Sequence, residues 1–184
     1  YYSRRVPEVG LSNDWLDTDI ADIVEDENLN DREQELLENS SSRILEVIKR
    51  DDRLEKIAKD IAHHFPRRGF LGKGMVVSVD KYTAVRMFDK VQRYWKEEMK
   101  LLVRERNESK TQDERDRLNE ILAYMDETEM AVVISEEAGE EEKFAGQNLD
   151  ITVHRREMNE ISGGKDIEDR FKDPNDPLRL VFVC

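Results

Sequence analysis

Three glycines and a lysine stand directly before an apolar run in GFLGKGMVVSVDKYTAV, Gly69 to Val85. Turns of that composition cradle phosphate when a strand delivers the chain into them, because converging backbone amides and the positive end of the next helix then meet the anion. Here the order is reversed, since Gly69, Gly72 and Gly74 precede the apolar run that starts at Met75. The spacing fails as well: Gly69 and Gly72 are three apart, and Lys73 is followed by glycine rather than Ser or Thr. The glycines are read instead as permitting a tight entry into the strand. The better candidates follow the run. Ser78, Asp80, Lys81, Tyr82 and Thr83 fall where a strand ends and a helix begins, so that amides, hydroxyls and a cation can meet an anionic backbone. An ordinary helix cap with surface charges uses the same residues.

Other reactive side chains lack an arrangement. His63 and His64 are adjacent, so on a helix they diverge by about 100° and cannot share a metal as an i, i+4 pair does. A surface role near a helix end is expected of them. SEEAGEEEKF, with Glu136, Glu137, Glu140, Glu141 and Glu142, lacks the alternating oxygen ligands and glycine position of a calcium loop, and reads as a solvated, mobile loop. His154 has no cysteine or serine partner in a recognisable arrangement. Cys184 is the single cysteine, so no disulfide forms within the chain, which fits a reducing, cytoplasmic setting. These residues supply no catalytic set, no cofactor site and no metal site.

A strand followed by a helix must position Ser78 to Thr83, and the periodicity supplies both. Leu54, Ile57, Ala58, Ile61, Ala62 and Phe65 recur at helical steps after Asp51 or Asp52 as cap, and Pro66 ends that helix. Ser40 to Ser42 offer caps for a short helix before it. Met75 to Val79 reads as a strand covered on both faces. Asp80 or Thr83 then caps a helix with Val85, Met87, Phe88, Val91, Tyr94, Trp95 and Met99 inside, continuing to about Arg106. A second helix restarts after Ser109 or Thr111 with Leu118, Ile121, Leu122 and Met125, giving a helical hairpin over about 84–128. Met130 to Ile134 is a second buried strand, followed by a loop. Lys165 or Asp166 opens a short helix through Phe171, DPNDP makes a turn, and Leu178 to Val183 is a third strand. Strands alternating with helices, each strand mainly apolar, predict a parallel α/β sheet.

In a chain of 184 residues, 40% charged and 38% apolar, the core must be concentrated in those few segments. The longest apolar runs are far too short to cross a bilayer. A formal net charge of −13 argues against the whole chain being a free-standing polyanion binder. The charge is uneven, however. Glu8 to Glu38 holds twelve acidic residues and one basic, whereas Arg67 to Arg104 holds ten basic and four acidic. The first stretch reads as an acidic arm or linker over residues 1–38, within which Trp15, Leu16, Ile20 and Ile23 form a short amphipathic turn.

RLEKIAKDIAHHF, GKGMVVSVDKYTAVRMFDKV and DIEDRFKDPNDPLRLVFVC, in that order, resemble part of the motor subunit of type I restriction enzymes, an ATP-dependent DNA translocase and endonuclease. The opening YYSRRVPEVGL is similar to the segment after the first motor lobe of that family. The resemblance implies an interior fragment, cut at both ends: residues 1–38 as the linker out of the first lobe, and 39–184 as the amino-terminal part of a second, RecA-like lobe with a parallel sheet and the hairpin as an insertion. It places Ser78, Lys81, Tyr82, Thr83 and Ser135 on the side facing a nucleic-acid backbone. ATP and Mg2+ are implied for the full-length subunit, with double-stranded DNA and the modification and specificity subunits as partners. The family's Walker and nuclease motifs have no match here, so the fragment itself is expected to be inactive. The competing expectation is a non-enzymatic acidic α/β interaction module, whose arm binds a protein and whose sheet supports it.

Overall fold

The computed structural model describes residues 44–69, 72–161 and 163–184; the acidic arm, the serine caps and the expected boundary at residue 38 lie outside them. Among the described residues three strands, β1 (Gly74–Val77), β2 (Glu129–Val133) and β3 (Leu178–Val183), form one parallel sheet in the order β1-β3-β2. β3 is therefore the interior strand. Met75 pairs with Val181 and Val76 with Phe182 on one side, and Ala131 with Val181 and Val132 with Phe182 on the other. Parallel strands cannot be joined by tight turns and need long crossovers. The first is a hairpin of α2 (Lys81–Glu108) and α3 (Gln112–Glu127); the second runs through α4 (Glu140–Ala145), α5 (Thr152–Asn159) and α6 (Ile167–Lys172).

A short helical stretch over 44–49 and helix α1 (Asp51–His64) precede β1. Contacts divide the chain between Ile57 and Ala58, inside α1. Leu54, Ala58 and Ala62 are buried at four-residue steps, and the helix stops just before buried Pro66, as the sequence requires. Arg50 grips Asp52 through two hydrogen bonds, 3.0 and 2.9 Å, at its start.

In the hairpin, Asp80 rather than Thr83 caps α2, its Oδ1 accepting from the Thr83 amide at 2.7 Å. Thr111 rather than Ser109 caps α3. Ser109 instead closes α2, its carbonyl accepting from Arg115 at 2.7 Å. Trp95, Leu102, Leu118, Ile121, Tyr124 and Met125 pack with Ala62 into a core between the helices, and the indole of Trp95 donates to the Met125 carbonyl at 3.1 Å. One carboxylate is buried beside it. Glu98 is met by the Arg67 guanidinium and by His63 Nδ1 at 3.1 Å, while His64 turns to Asp60 at 3.1 Å. The two adjacent histidines thus serve different carboxylates.

Two expectations need correction. β1 is not covered on both faces: Met75 and Val77 are 55% and 73% exposed. It is an edge strand, and Ile167 and Phe171 of the short α6 cover the same face over Ala131, Leu178 and Val181 instead. The strand also ends at Val77 rather than Val79, although the Ser78 amide extends the ladder by one bond to the Val183 carbonyl, 2.8 Å. Nor is the segment after β2 a solvated, mobile loop. It folds into α4 and the start of α5, burying Phe144, Ile151 and Glu140. Gly139, at φ 68°, makes the left-handed turn into α4.

His154, on α5, is buried edge-on against Phe88 of α2, ring centroids 4.7 Å apart. Its Nδ1 has no hydrogen-bond partner, and burial lowers its pKa below the ordinary 6.5. The unfolded chain therefore binds this proton more readily than the folded one, so the contribution of His154 is fully present above about pH 6.5 and is lost as pH falls below it. Chemical denaturation midpoints should drop as pH falls below about 6.5, and His154→Phe should flatten that part of the profile.

Of the three glycines, Gly74, the first residue of β1, is the one a close approach explains. A Cβ there would lie 2.4 Å from Phe65 Cε2 and 3.3 Å from Leu180 Cδ1, so the β1 backbone passes against an aromatic ring that α1 sets down just beyond its end. Gly74→Ala should destabilise the chain by about 1–3 kcal/mol through this overpacking. Urea unfolding checks it, and Gly139→Asn, placed where a left-handed residue has open space, should cost much less.

Candidate nucleic-acid interface

The carboxyl ends of the parallel strands carry the residues singled out in the sequence. β1 leads through Ser78 to Asp80, and α2 begins at Lys81, so the helix's unpaired first amides open at this end of the sheet. A long helix concentrates partial positive charge there. Asp80 consumes one of those amides, at Thr83, and its carbonyl accepts from the Ala84 amide at 3.0 Å.

Lys81 does not stand alone. Its Nζ donates to Glu137 Oε2 at 2.9 Å, and Lys143 Nζ donates to Glu137 Oε1 at 2.5 Å. Held first by Lys143 and then by Lys81, the Glu137 carboxyl is drawn down to about 2. This pairing joins the turn after β1 to the turn after β2, on opposite sides of β3. A second pairing fixes the same turn from beneath. Buried Glu140 receives Arg155 in a fork, Nε to Oε1 and Nη2 to Oε2, both 2.7 Å, which holds its carboxyl below the usual range. Arg155 also donates to the Ile134 and Ser135 carbonyls at 3.1 and 3.4 Å.

The predicted residues thus fall into three groups. Lys81 and the exposed Ser135 lie on the two turns that Glu137 links, and Ser78 continues the β1 ladder. Tyr82 packs its ring on Phe144, centroids 4.8 Å apart, so α4 holds it. Thr83 is 3% exposed and its hydroxyl has no partner, which puts it inside rather than on a binding surface. Glu137, Lys143, Glu140 and Arg155 were missed, because five glutamates in seven positions masked the one apolar anchor, Phe144, that folds the segment.

The arrangement offers two lysines and a helix start to an anion, with Glu137 as the internal occupant. The glycine-rich stretch lies at the opposite, amino end of β1. Among the described residues no group of three His, Cys, Asp or Glu could hold a metal ion, and no helix is long and apolar enough to cross a membrane.

A carboxyl NMR titration tests the pairing. Glu137 should titrate at about 2, and replacing Lys143 and Lys81 together by Met should return it toward its ordinary 4.5. The sign is that of a depressed acid: this contribution to stability is complete above about pH 4.5 and disappears as pH falls through the folded value.

No protein-family model matches the chain, and no solved structure matches it. Over 90 residues, 48% of the chain, it is 30% identical to a Methanocaldococcus jannaschii protein named "Putative type I restriction enzyme MjaIXP endonuclease subunit". The stretch in common is 9% of that protein's length.

Proposed function

We propose that the chain is part of the ATP-dependent DNA translocase and endonuclease subunit of a type I restriction enzyme. It forms the amino-terminal part of a RecA-like second motor lobe and presents the turn after β1, with Lys81, to a DNA backbone. The observation that carries this reading is the 90-residue similarity to a restriction endonuclease subunit. The parallel order of β1, β3 and β2 supports it, since a parallel α/β sheet collects ligands at its carboxyl ends, where Lys81 and the start of α2 are found. In such a motor two lobes close on ATP and couple its hydrolysis to movement along the duplex. This chain's share is the frame of one lobe and contact with the backbone; nucleotide, Mg2+ and nuclease groups belong to other parts of the subunit. Double-stranded DNA and the modification and specificity subunits are its partners, in the cytoplasm.

A second reading, a non-enzymatic acidic α/β interaction module, is favoured by one feature: Lys81 already has a carboxylate, Glu137. A phosphate must displace that carboxylate, and the two readings therefore part on substitution. In the intact subunit, Lys81→Ala should lower duplex affinity several-fold at low salt and reduce the slope of log affinity against log salt by about 1. Glu137→Gln should do the opposite by releasing both lysines. If neither change alters DNA binding, the interface is wrongly placed and the module stands.

A further inference from the structure

The outward face of α2 carries a second set of cations. At 100° per residue, Arg86, Lys90, Arg93, Lys100 and Arg104 fall within about 80° of one another. They lie opposite the buried line of Ala84, Val91, Trp95 and Leu102. Within the cationic stripe Glu97 is the one carboxylate, and Asp89 and the exposed Leu101 stand about 20° outside its two edges. Arg93, Lys100 and Arg104 are exposed, and Arg86 and Lys90 are half-buried. Arg86 donates to Gln147 at 2.8 Å and Arg93 lies 4.8 Å over the Tyr94 ring, so both guanidinium groups are held in place. From Arg86 to Arg104 the stripe is roughly 27 Å long, at 1.5 Å per residue.

We propose that this face of α2 is a second nucleic-acid site, which follows a phosphate backbone along the helix axis. It rests on the reading that the chain meets DNA, but on different residues from Lys81. Charge complementarity identifies the occupant. A protein partner needs a buried apolar or aromatic anchor at the centre of its interface, and this stripe has none. A phosphate backbone needs only repeated cations on a straight rod, since duplex DNA offers a charge about every 1.7 Å of its axis. The net charge of −13 does not cancel the stripe. Locally the five cations stand against Asp89, four residues before Arg93, and Glu97, which leaves this face net positive whatever the total charge of the chain.

Fluorescence anisotropy of a labelled duplex, measured with the whole chain over a series of salt concentrations, tests the site. Replacing Lys90, Arg93, Lys100 and Arg104 together by Gln should weaken binding at least about tenfold at low salt and reduce the slope of log affinity against log salt by about 3 to 4. A control with Lys56, Lys59, Lys110 and Lys172 changed to Gln removes the same charge elsewhere and should keep the slope. Arg93→Lys with Arg104→Lys, which keeps charge and fold, should bind like the unaltered chain. Equal losses in stripe and control variants, no loss in the stripe variant, no binding by the unaltered chain, or competition by polyglutamate as strong as that by duplex would each overturn the proposal. Running Lys81→Ala beside them separates the two sites: a loss there with an intact stripe slope removes the stripe and leaves the Lys81 reading standing, and the converse result does the reverse.

Discussion

β3 satisfies its backbone on both sides only by lying between β1 and β2, and the rest of the architecture follows from that constraint. Parallel strands cannot be joined by tight turns, so one crossover carries the chain from β1 to β2, leaving the place between them, and the second returns it from β2 into that place as β3. The two crossovers are what place α2 against Phe182 on one face and α6 against Val181 on the other. Magnitudes decide which contacts hold this together. Burying a phenylalanine such as Phe182 is worth on the order of 3–5 kcal/mol by truncation, whereas an exposed ion pair is worth about 0–1. The many charged pairs on the surface are therefore secondary to a few apolar residues, as expected of a chain with so little apolar material to spend.

Charge has a different part. Glu98 and Glu140 are buried, and each has an arginine on it, Arg67 and Arg155. Buried pairs of this kind gain little over an apolar substitute, because desolvation offsets most of the attraction. Their effect is positional. Arg67 belongs to the turn after α1 and Glu98 to the middle of α2, so the pair fixes where the chain approaches β1. Arg155 gathers Glu140 with the carbonyls of Ile134 and Ser135, and so shapes the turn at the end of β2. Glu137 is held within that shaped turn, within reach of Lys81.

Much of this was legible in the sequence. Apolar runs bounded by turn residues gave the parallel strands, with Leu178–Val183 in its observed bounds, and the helical steps of Leu54, Ala58 and Ala62 gave α1. The exposed face of β1 was not legible, because Met75, Val76 and Val77 are all apolar and carry no alternation; only the strand order reveals that β1 is at an edge. The folded segment after β2 was hidden for the opposite reason. Its dense glutamates look solvated, and their partners, Lys81 and Arg155, are 56 and 15 residues away. Of the candidate site, Lys81 was readable from its place after a strand, while its pairing and the inward turn of Thr83 depend on contacts that no local pattern encodes.

One helix connects the two cationic surfaces. α2 is pinned to the sheet by Phe88 against Phe182 and to α3 by Trp95 against Met125. Neither end can shift relative to the other without opening one of these cores, and close-packed interiors resist such continuous deformation. Lys81 at the first residue of α2 and Arg104 near its last are therefore fixed points on a rigid rod. Lys81 lies about 140° round the helix from Arg86, so the stripe and the turn where Glu137 holds Lys81 face different sides of that rod. The same geometry makes the pair at Glu137 a local event: exchanging its carboxylate for a phosphate changes charge at the end of the sheet and leaves the hairpin core untouched.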